Sequence, residues 1–280
     1  MTMPADDPAQ IQAERARVFR ALHEGPGPLL LPNPWDVGSA RLLASLGFAA
    51  LATTSGGFAA TLGRLDGAVT RDEALRHAAA IAAATTLPVS ADLENAFADE
   101  PAGVAETIGL AAAAGLAGCS VEDFTRRPGA PIYDLGLARE RVAAAVTAAK
   151  AAPGPLVLTA RAENYLHGRP DLADTIRRLQ AYQEAGADVL YAPGLTSLAD
   201  IRAVVSSVDR PVNVLAFAGA PSVPALAAAG VHRISVGAAF ANAALGAVVT
   251  ASAELLEKGT YDFLDQAAIG RAAASAAFRP

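Results

Sequence analysis

The chain has 280 residues, of which 52% are hydrophobic and 18% charged, with a formal net charge of −6 at pH 7. This acidic balance argues against a nucleic-acid partner and against binding to an anionic membrane surface. The single cysteine, Cys119, excludes an internal disulfide, and the polar N-terminus lacks a signal-peptide core, so we expect a cytoplasmic protein.

Eight short apolar runs rich in β-forming residues recur along the chain. They predict strands at residues 28–33, 48–55, 87–94, 118–124, 155–163, 188–194, 210–216 and 231–237. Amphipathic stretches with helical spacing lie between most of them, for example at 70–85, 101–115, 137–152 and 172–186. Several helices are predicted to end at a glycine C-cap, at Gly47, Gly115, Gly186 and Gly230.

Eight strand–helix units in about 210 residues favour a closed (β/α)8 TIM barrel. A doubly wound open sheet is the alternative, but no G-x-G-x-x-G motif follows the first strand. Residues 1–280 are read as one domain, with an N-terminal helical cap at 1–22 and a C-terminal helical extension at 239–280. Gly, Pro or a charge interrupts every apolar stretch before about 20 residues, so no membrane-spanning helix is expected.

Acidic side chains gather where the predicted strands end, which is the catalytic end of such a barrel. Asp92 and Glu94 end the third strand, Glu122 and Asp123 end the fourth, and Asp66 follows the second. Like charges this close need a bound proton or a cation. Carboxylates without histidine or cysteine partners favour Mg²⁺ or Mn²⁺ over zinc.

The alternative is that these acids form structural ion pairs across the barrel mouth with Arg161, Arg126 and Arg127. Strand alternation predicts that Asp92 and Glu94 point to the same side. It also places Arg161 on the polar side of the fifth strand, facing the acids.

Other catalytic groups are poorly placed in the sequence. Neither of the two lysines, Lys150 and Lys258, lies at a strand end, which argues against a Schiff-base aldolase. The four histidines fall on helices, on loops or at the opposite end of a strand: His23, His77, His167 and His232. A histidine base or a zinc site is therefore not expected.

The ordered set of motifs resembles the isocitrate lyase/phosphoenolpyruvate mutase superfamily over roughly residues 28–240. The segments are NPWDVGSARLLASLGFAALATTSGGFAATLGRLDG, PVSADLENAFAD, AGLAGCSVEDF, ARAENYL with AYQEAGADVLYAPG, and PVNVLA. The resemblance implies a (β/α)8 barrel whose eighth helix is exchanged between partners. It therefore also implies a homo-oligomer, a dimer or a tetramer.

The resemblance further implies Mg²⁺ and a small 2-oxo acid or related carboxylate as the ligands of the site. Its metal residues correspond to Asp92 as a direct ligand, with Asp66, Glu94 and Glu122 acting through water. The metal, the backbone N–H groups of the Thr54-Ser55-Gly56 turn and Arg161 would together stabilise an enolate. The predicted catalytic residues are Arg161, Glu122 and Tyr191, and the predicted substrate-binding residues are Thr54, Ser55, Gly56, Arg161, Asn213 and Trp35.

Several family features are missing. The lyase branch carries a cysteine in a K-K-C-G-H loop, whereas this chain reads EDFTRRPGAPIYDLG there. The loop lysine and asparagine of the mutases and phosphonate hydrolases are also absent. Ala96 and Ala98 stand where glycines are usual, and Ala192-Pro193 replaces a histidine.

The predicted function is a Mg²⁺-dependent carbon–carbon lyase, a decarboxylase or a retro-aldol enzyme, acting on a small 2-oxo or 2-hydroxy di- or tricarboxylate. The alternatives are a phosphonopyruvate-type mutase or hydrolase and a protein that binds a 2-oxo acid without turnover. The proton donor is unassigned, with Tyr191, Arg126 or a metal-bound water as the candidates.

Overall fold

Eight parallel strands curl into a barrel in the computed structural model, which describes residues 7–279. The strands are β1 (Leu29–Leu31), β2 (Leu51–Ala52), β3 (Val89–Asp92), β4 (Gly118–Glu122), β5 (Val157–Arg161), β6 (Val189–Tyr191), β7 (Val212–Leu215) and β8 (Arg233–Ser235). Their spatial order is β1-β8-β7-β6-β5-β4-β3-β2, and a hydrogen bond from Ala52 N to Pro32 O joins the two ends. The predicted TIM barrel is confirmed, and each strand falls inside a predicted run.

Eleven helices are formed by the described residues 7–279. They are α1 (Pro8–Leu22), α2 (Val37–Ser45), α3 (Ser55–Thr61), α4 (Arg71–Ala83), α5 (Pro101–Ala113), α6 (Leu135–Lys150), α7 (Leu172–Glu184), α8 (Leu198–Ser206), α9 (Val223–Ala228), α10 (Ala239–Glu257) and α11 (Phe263–Ala277). Residues 1–6 of the predicted N-terminal cap lie outside the described range. All four predicted cap glycines adopt φ between 79° and 101°, a left-handed conformation that suits glycine.

Two apolar clusters divide the barrel into an outside and an inside. The larger one fills the space between the sheet and the helices and includes Ile81, Ile108, Leu158, Leu179 and Leu190. The smaller one fills the lower interior of the barrel and includes Phe19, Leu29, Leu31, Val157 and Val189. Because apolar side chains close the lower interior, the polar side chains of the strands collect in the upper half.

His23, at the end of α1, closes the N-terminal end of the barrel. Its ring packs edge-on against Phe19 with centroids 4.9 Å apart, and its Nδ1 lies 2.8 Å from the Phe19 carbonyl oxygen. Its Nε2 lies 3.4 Å from Nη1 of the buried Arg233. Burial lowers the pKa of His23 to about 3, and the positive charge of Arg233 acts in the same direction.

This buried neutral histidine predicts a loss of stability in mild acid. An unfolded histidine takes up a proton near pH 6.5, so from there down to about pH 3 only the unfolded chain gains that proton. We therefore expect His23 alone to lower the free energy of unfolding by about 2 kcal/mol between pH 7 and pH 5. Denaturant titrations at both pH values, on the wild type and on His23→Gln, check this. An identical pH dependence in the two proteins would contradict it.

Helices α10 and α11 expose large apolar side chains, including Leu245, Val248, Val249, Leu256 and Ile269. Helix α10 has 19 residues and a mean hydropathy of 1.5, and only 6% of its apolar window is buried. By length and composition it could cross a membrane, contrary to the sequence-based expectation, because Gly246 lies inside the helix and does not end it. Length and composition do not distinguish such a helix from one that packs on another protein surface.

Candidate active site

Two adjoining cavities lie at the C-terminal ends of the strands. The central cavity, of about 200 Å³, is lined by Asp92, Ser120, Tyr191, Asn213 and Arg233, among others. The mouth cavity, of about 460 Å³, is lined by Glu94, Glu122, Phe124, Arg126, Glu163 and His167, among others. Ser55, Asp66, Arg161 and Leu166 line both. The strand-end residues of the predicted site therefore do converge.

Arg161, the last residue of β5, holds three carboxylates together. Its Nη1 lies 3.1 Å from Asp92 Oδ1, its Nη2 lies 3.3 Å from Glu122 Oε2, and its Nε donates to Glu163 Oε1 at 2.8 Å. Burial alone would lower the pKa of Arg161, but the three carboxylates raise it well above its usual value. Burial raises the pKa of Glu122 well above its usual value although Arg161 lowers it, and Glu163 and Asp92 add to the increase.

Asp92 ends β3 and contacts the start of α3. Its Oδ2 accepts a hydrogen bond from the Ser55 amide at 3.1 Å, within the predicted Thr54-Ser55-Gly56 turn. Asp66 lies against the same turn, because a Cβ on Gly56 would lie 3.2 Å from Asp66 Oδ2. Glycine at position 56 thus leaves room for the Asp66 carboxylate beside the turn.

Glu94 does not continue strand β3. The strand ends at Asp92, and Glu94 adopts the left-handed conformation with φ of 51°. The alternation that the sequence predicted for these two acids therefore stops at Asp92. The Glu94 carboxylate pairs with Arg126 and lines the mouth cavity, whereas Asp92 lines the central one. Ala96 is also left-handed, with φ of 58°, a backbone conformation that favours glycine.

Asp123 differs from the other strand-end acids because it points to the helix layer. Its Oδ2 accepts hydrogen bonds from Arg178 Nη1 at 3.1 Å and from Tyr182 Oη at 2.5 Å. Its Oδ1 accepts from the Glu163 amide at 2.8 Å. The structural interpretation named Arg161, Arg126 and Arg127 as partners of the acids, and Asp123 pairs with none of them. Arg161 does pair with Asp92 and Glu122, and Arg126 with Glu94, whereas Arg127 pairs with Asp99 near the surface.

The remaining predicted residues occupy different depths. Tyr191 is buried in the central cavity, where burial raises its pKa to about 12 and Arg161 lies 5.1 Å from its ring centre. Asn213 donates to Ser235 Oγ at 3.0 Å on the cavity wall. Trp35 is not part of either cavity lining, and its carbonyl oxygen instead lies 2.9 Å from Nε2 of His77. Its predicted substrate contact stays a prediction.

Three residues of the cavities are absent from the predicted catalytic, substrate-binding and metal residues. Arg233 forms part of the floor of the central cavity, where its Nε donates to Asn213 Oδ1 at 2.9 Å. Glu163 and His167 line the mouth cavity on one turn, since the His167 amide donates to the Glu163 carbonyl oxygen at 3.2 Å. The spacing of Glu163 and His167, four residues apart just after β5, was the available signal.

The charges of the two cavities suit a divalent cation. Their linings hold five carboxylates, from Asp66, Asp92, Glu94, Glu122 and Glu163, and three guanidinium groups, from Arg126, Arg161 and Arg233. Full ionisation would leave two negative charges in excess. Within residues 7–279, no three acidic, histidine or cysteine side chains lie close enough to bind one ion together. Mg²⁺ often takes one or two carboxylates and keeps several waters, so the oxygen ligands fit that ion.

Comparisons with known proteins point to a single group. A family model described as phosphoenolpyruvate phosphomutase matches residues 19–256. The 2-methylisocitrate lyase of Escherichia coli K12 is 32% identical over 215 residues, covering 73% of this chain and 71% of the relative. A solved structure from Burkholderia cenocepacia J2315, described only as a lyase/mutase, is 54% identical with a TM-score of 0.94, covering 97% and 98%. An oxaloacetate acetylhydrolase bound to the product oxalate is 25% identical with a TM-score of 0.80, covering 91% and 90%.

Proposed function

The chain belongs to the phosphoenolpyruvate phosphomutase family, and we propose that it is a Mg²⁺-dependent carbon–carbon lyase for a small 2-oxo or 2-hydroxy di- or tricarboxylate. The observation that carries the proposal is the excess of carboxylate over guanidinium groups, five to three, in cavities that also hold Arg161 and the turn at Ser55. The names of two relatives, 2-methylisocitrate lyase and oxaloacetate acetylhydrolase, agree with a carboxylate substrate.

Asp92 is the residue proposed to hold the ion directly, with Asp66, Glu94 and Glu122 reaching it through water. Asp92 is the strand-end acid that contacts both Arg161 and the Ser55 amide. When bound, Mg²⁺ would act as a Lewis acid that polarises the oxygens of the substrate.

The protein groups would bind and orient the substrate around that position. The Arg161 guanidinium and the amides of the Thr54-Ser55-Gly56 turn can receive the negative charge that develops when the carbon–carbon bond breaks. Tyr191 and Asn213, on the wall below, offer hydrogen bonds to the body of a small acid. Arg161 is held by three carboxylates, so it needs little reorganisation during the reaction.

Turnover assays test this proposal. Purified protein with Mg²⁺ is offered oxaloacetate, citramalate, 2-methylisocitrate and phosphonopyruvate, and the release of CO₂, pyruvate or phosphate is followed. Metal-dependent cleavage of a carbon–carbon bond supports the lyase. Cleavage or rearrangement of phosphonopyruvate alone supports a mutase or hydrolase. Binding without turnover, measured by calorimetry, would identify a protein that only binds 2-oxo acids.

We also propose that the exposed apolar faces of α10 and α11 form a contact between copies of this chain. Val249 is 69% exposed near the middle of α10, so a second copy would remove apolar surface from water there. Light scattering after gel filtration is expected to give a dimer or a tetramer for the wild type and a smaller species for Val249→Glu. Leu110→Glu, an equally drastic change at an exposed leucine of α5, is the control. A wild-type monomer would contradict the proposal.

A further inference from the structure

His167 sits in the mouth cavity with its ring fixed on two sides. The ring stacks on Phe124, with centroids 3.6 Å apart and planes 2° from parallel. Its Nε2 lies 3.7 Å from Oε2 of Glu163, whose other oxygen is bound by Arg161. The side chain is 27% exposed, so the ring is ordered by its neighbours yet open to the cavity.

The other stacked histidine of the chain provides a contrast. His77 also lies flat on a phenylalanine, Phe58, with centroids 3.8 Å apart. Its Nε2, however, lies 2.9 Å from the Trp35 carbonyl oxygen, burial lowers its pKa, and it lines neither cavity. Stacking of a histidine on a phenylalanine is therefore purely structural at His77. His167 differs from His77 because its ring faces the cavity and a carboxylate.

The need for a proton donor rests on the proposed function. Cleavage beside a 2-oxo group leaves an enolate whose carbon must be protonated before the product leaves. Tyr191 has a pKa of about 12, which makes it a weak acid at neutral pH, and Arg161 is held by three carboxylates. Histidine is the side chain that most often acts as a general acid, and His167 lies in the mouth cavity beside a carboxylate.

We propose that His167 is the catalytic acid that protonates the enolate carbon, and that Glu163 and Phe124 orient its ring. Glu163 is the charged group beside the ring, and the other charged groups that line the mouth cavity are Asp66, Glu94, Glu122, Arg126 and Arg161. An imidazole stacked on a phenylalanine beside a buried carboxylate, in an open cavity, is placed to act as a general acid or base.

The proton transfer balances without a further reactant. In the decarboxylation of a 2-oxo acid such as oxaloacetate, the carbon–carbon bond to the leaving CO₂ breaks, and its electron pair stays on the 2-oxo fragment as the enolate. An N–H bond of the His167 imidazolium then breaks while a C–H bond forms on the enolate carbon. The neutral imidazole regains its proton from water, which reaches the open mouth cavity.

The test compares His167→Gln with His77→Gln. Loss of the acid is expected to lower kcat by about 10²–10⁴-fold, with KM changed only a few-fold. His77→Gln is expected to keep the wild-type kcat. A wild-type kcat in His167→Gln would overturn the assignment.

A second measurement separates this inference from the proposed function. If the wild type cleaves none of the acids offered, the lyase proposal fails. NMR of the histidine rings then tests whether His167 lies at the ligand-binding site. Titration with oxalate and Mg²⁺ should move the ring signals of His167 and leave those of His77 unchanged. Unmoved His167 signals would overturn the inference, whatever the turnover assays give.

Discussion

Asp92→Asn is expected to abolish Mg²⁺-dependent turnover while leaving the fold intact. The substitution removes the charge proposed to hold the ion and keeps the size of the side chain. Losing a Lewis acid that supplies several kcal/mol of transition-state stabilisation corresponds to a decrease in kcat of about 10³-fold or more. Turnover against Mg²⁺ concentration measures the effect, and electron paramagnetic resonance of bound Mn²⁺ measures the loss of the ion.

The fold should tolerate this change because Asp92 lies at the barrel mouth and fills no core volume. Arg161 keeps Glu122 and Glu163 as partners in the variant. Asp72→Asn on α4 is the matched control, since Asp72 is an exposed acid outside both cavities. Full Mn²⁺ binding by Asp92→Asn would show that another residue holds the metal.

Arg161→Met is expected to damage stability and activity together. Removing the guanidinium leaves Asp92, Glu122 and Glu163 close to one another without a cation, in a buried position. Breaking a buried ion pair from one side typically costs about 3–5 kcal/mol. We expect a loss of that size in the free energy of unfolding, measured by denaturant titration, and no detectable turnover.

The comparison with Arg127→Met isolates the effect of burial. Arg127 also pairs with an acid, Asp99, but its side chain is 59% exposed. Exposed ion pairs contribute about 0–1 kcal/mol, so this control should unfold close to the wild type. Mg²⁺ is expected to restore part of the stability of Arg161→Met, because the ion replaces the missing positive charge. Equal stabilities of the two variants would show that the acids around Arg161 do not depend on it.

The architecture followed from local sequence patterns. The spacing of eight apolar runs, with glycine at the helix ends, was enough to predict a (β/α)8 barrel, and every observed strand falls inside a predicted run. The C-terminal ends of the parallel strands in such a barrel lie at one edge, whatever the conformation of the loops. For that reason the convergence of Asp92, Glu122, Arg161 and Tyr191 on the cavities was also predictable.

The direction of each side chain near the loops was decided by the tertiary structure. Glu94 was read from strand alternation, but alternation holds only while the backbone stays extended. The left-handed backbone conformation of Glu94 turns its side chain toward Arg126. Asp123 instead accepts hydrogen bonds from Arg178 and Tyr182 of α7, in the helix layer outside the barrel. These partners lie 32 to 59 residues away along the chain, so no local pattern could have identified them.

The same reasoning explains why His167 and Arg233 were found only in three dimensions. His167 follows β5 on a loop, and its proposed role depends on its stacking on Phe124 from the neighbouring loop and on the mouth cavity that both residues line. The guanidinium of Arg233 lies against the ring of His23 from α1, which is near the other end of the chain. The sequence by itself determined the barrel and the kinds of groups at its mouth. Tertiary structure decided which of those groups face one another, because their pairing depends on contacts between distant segments.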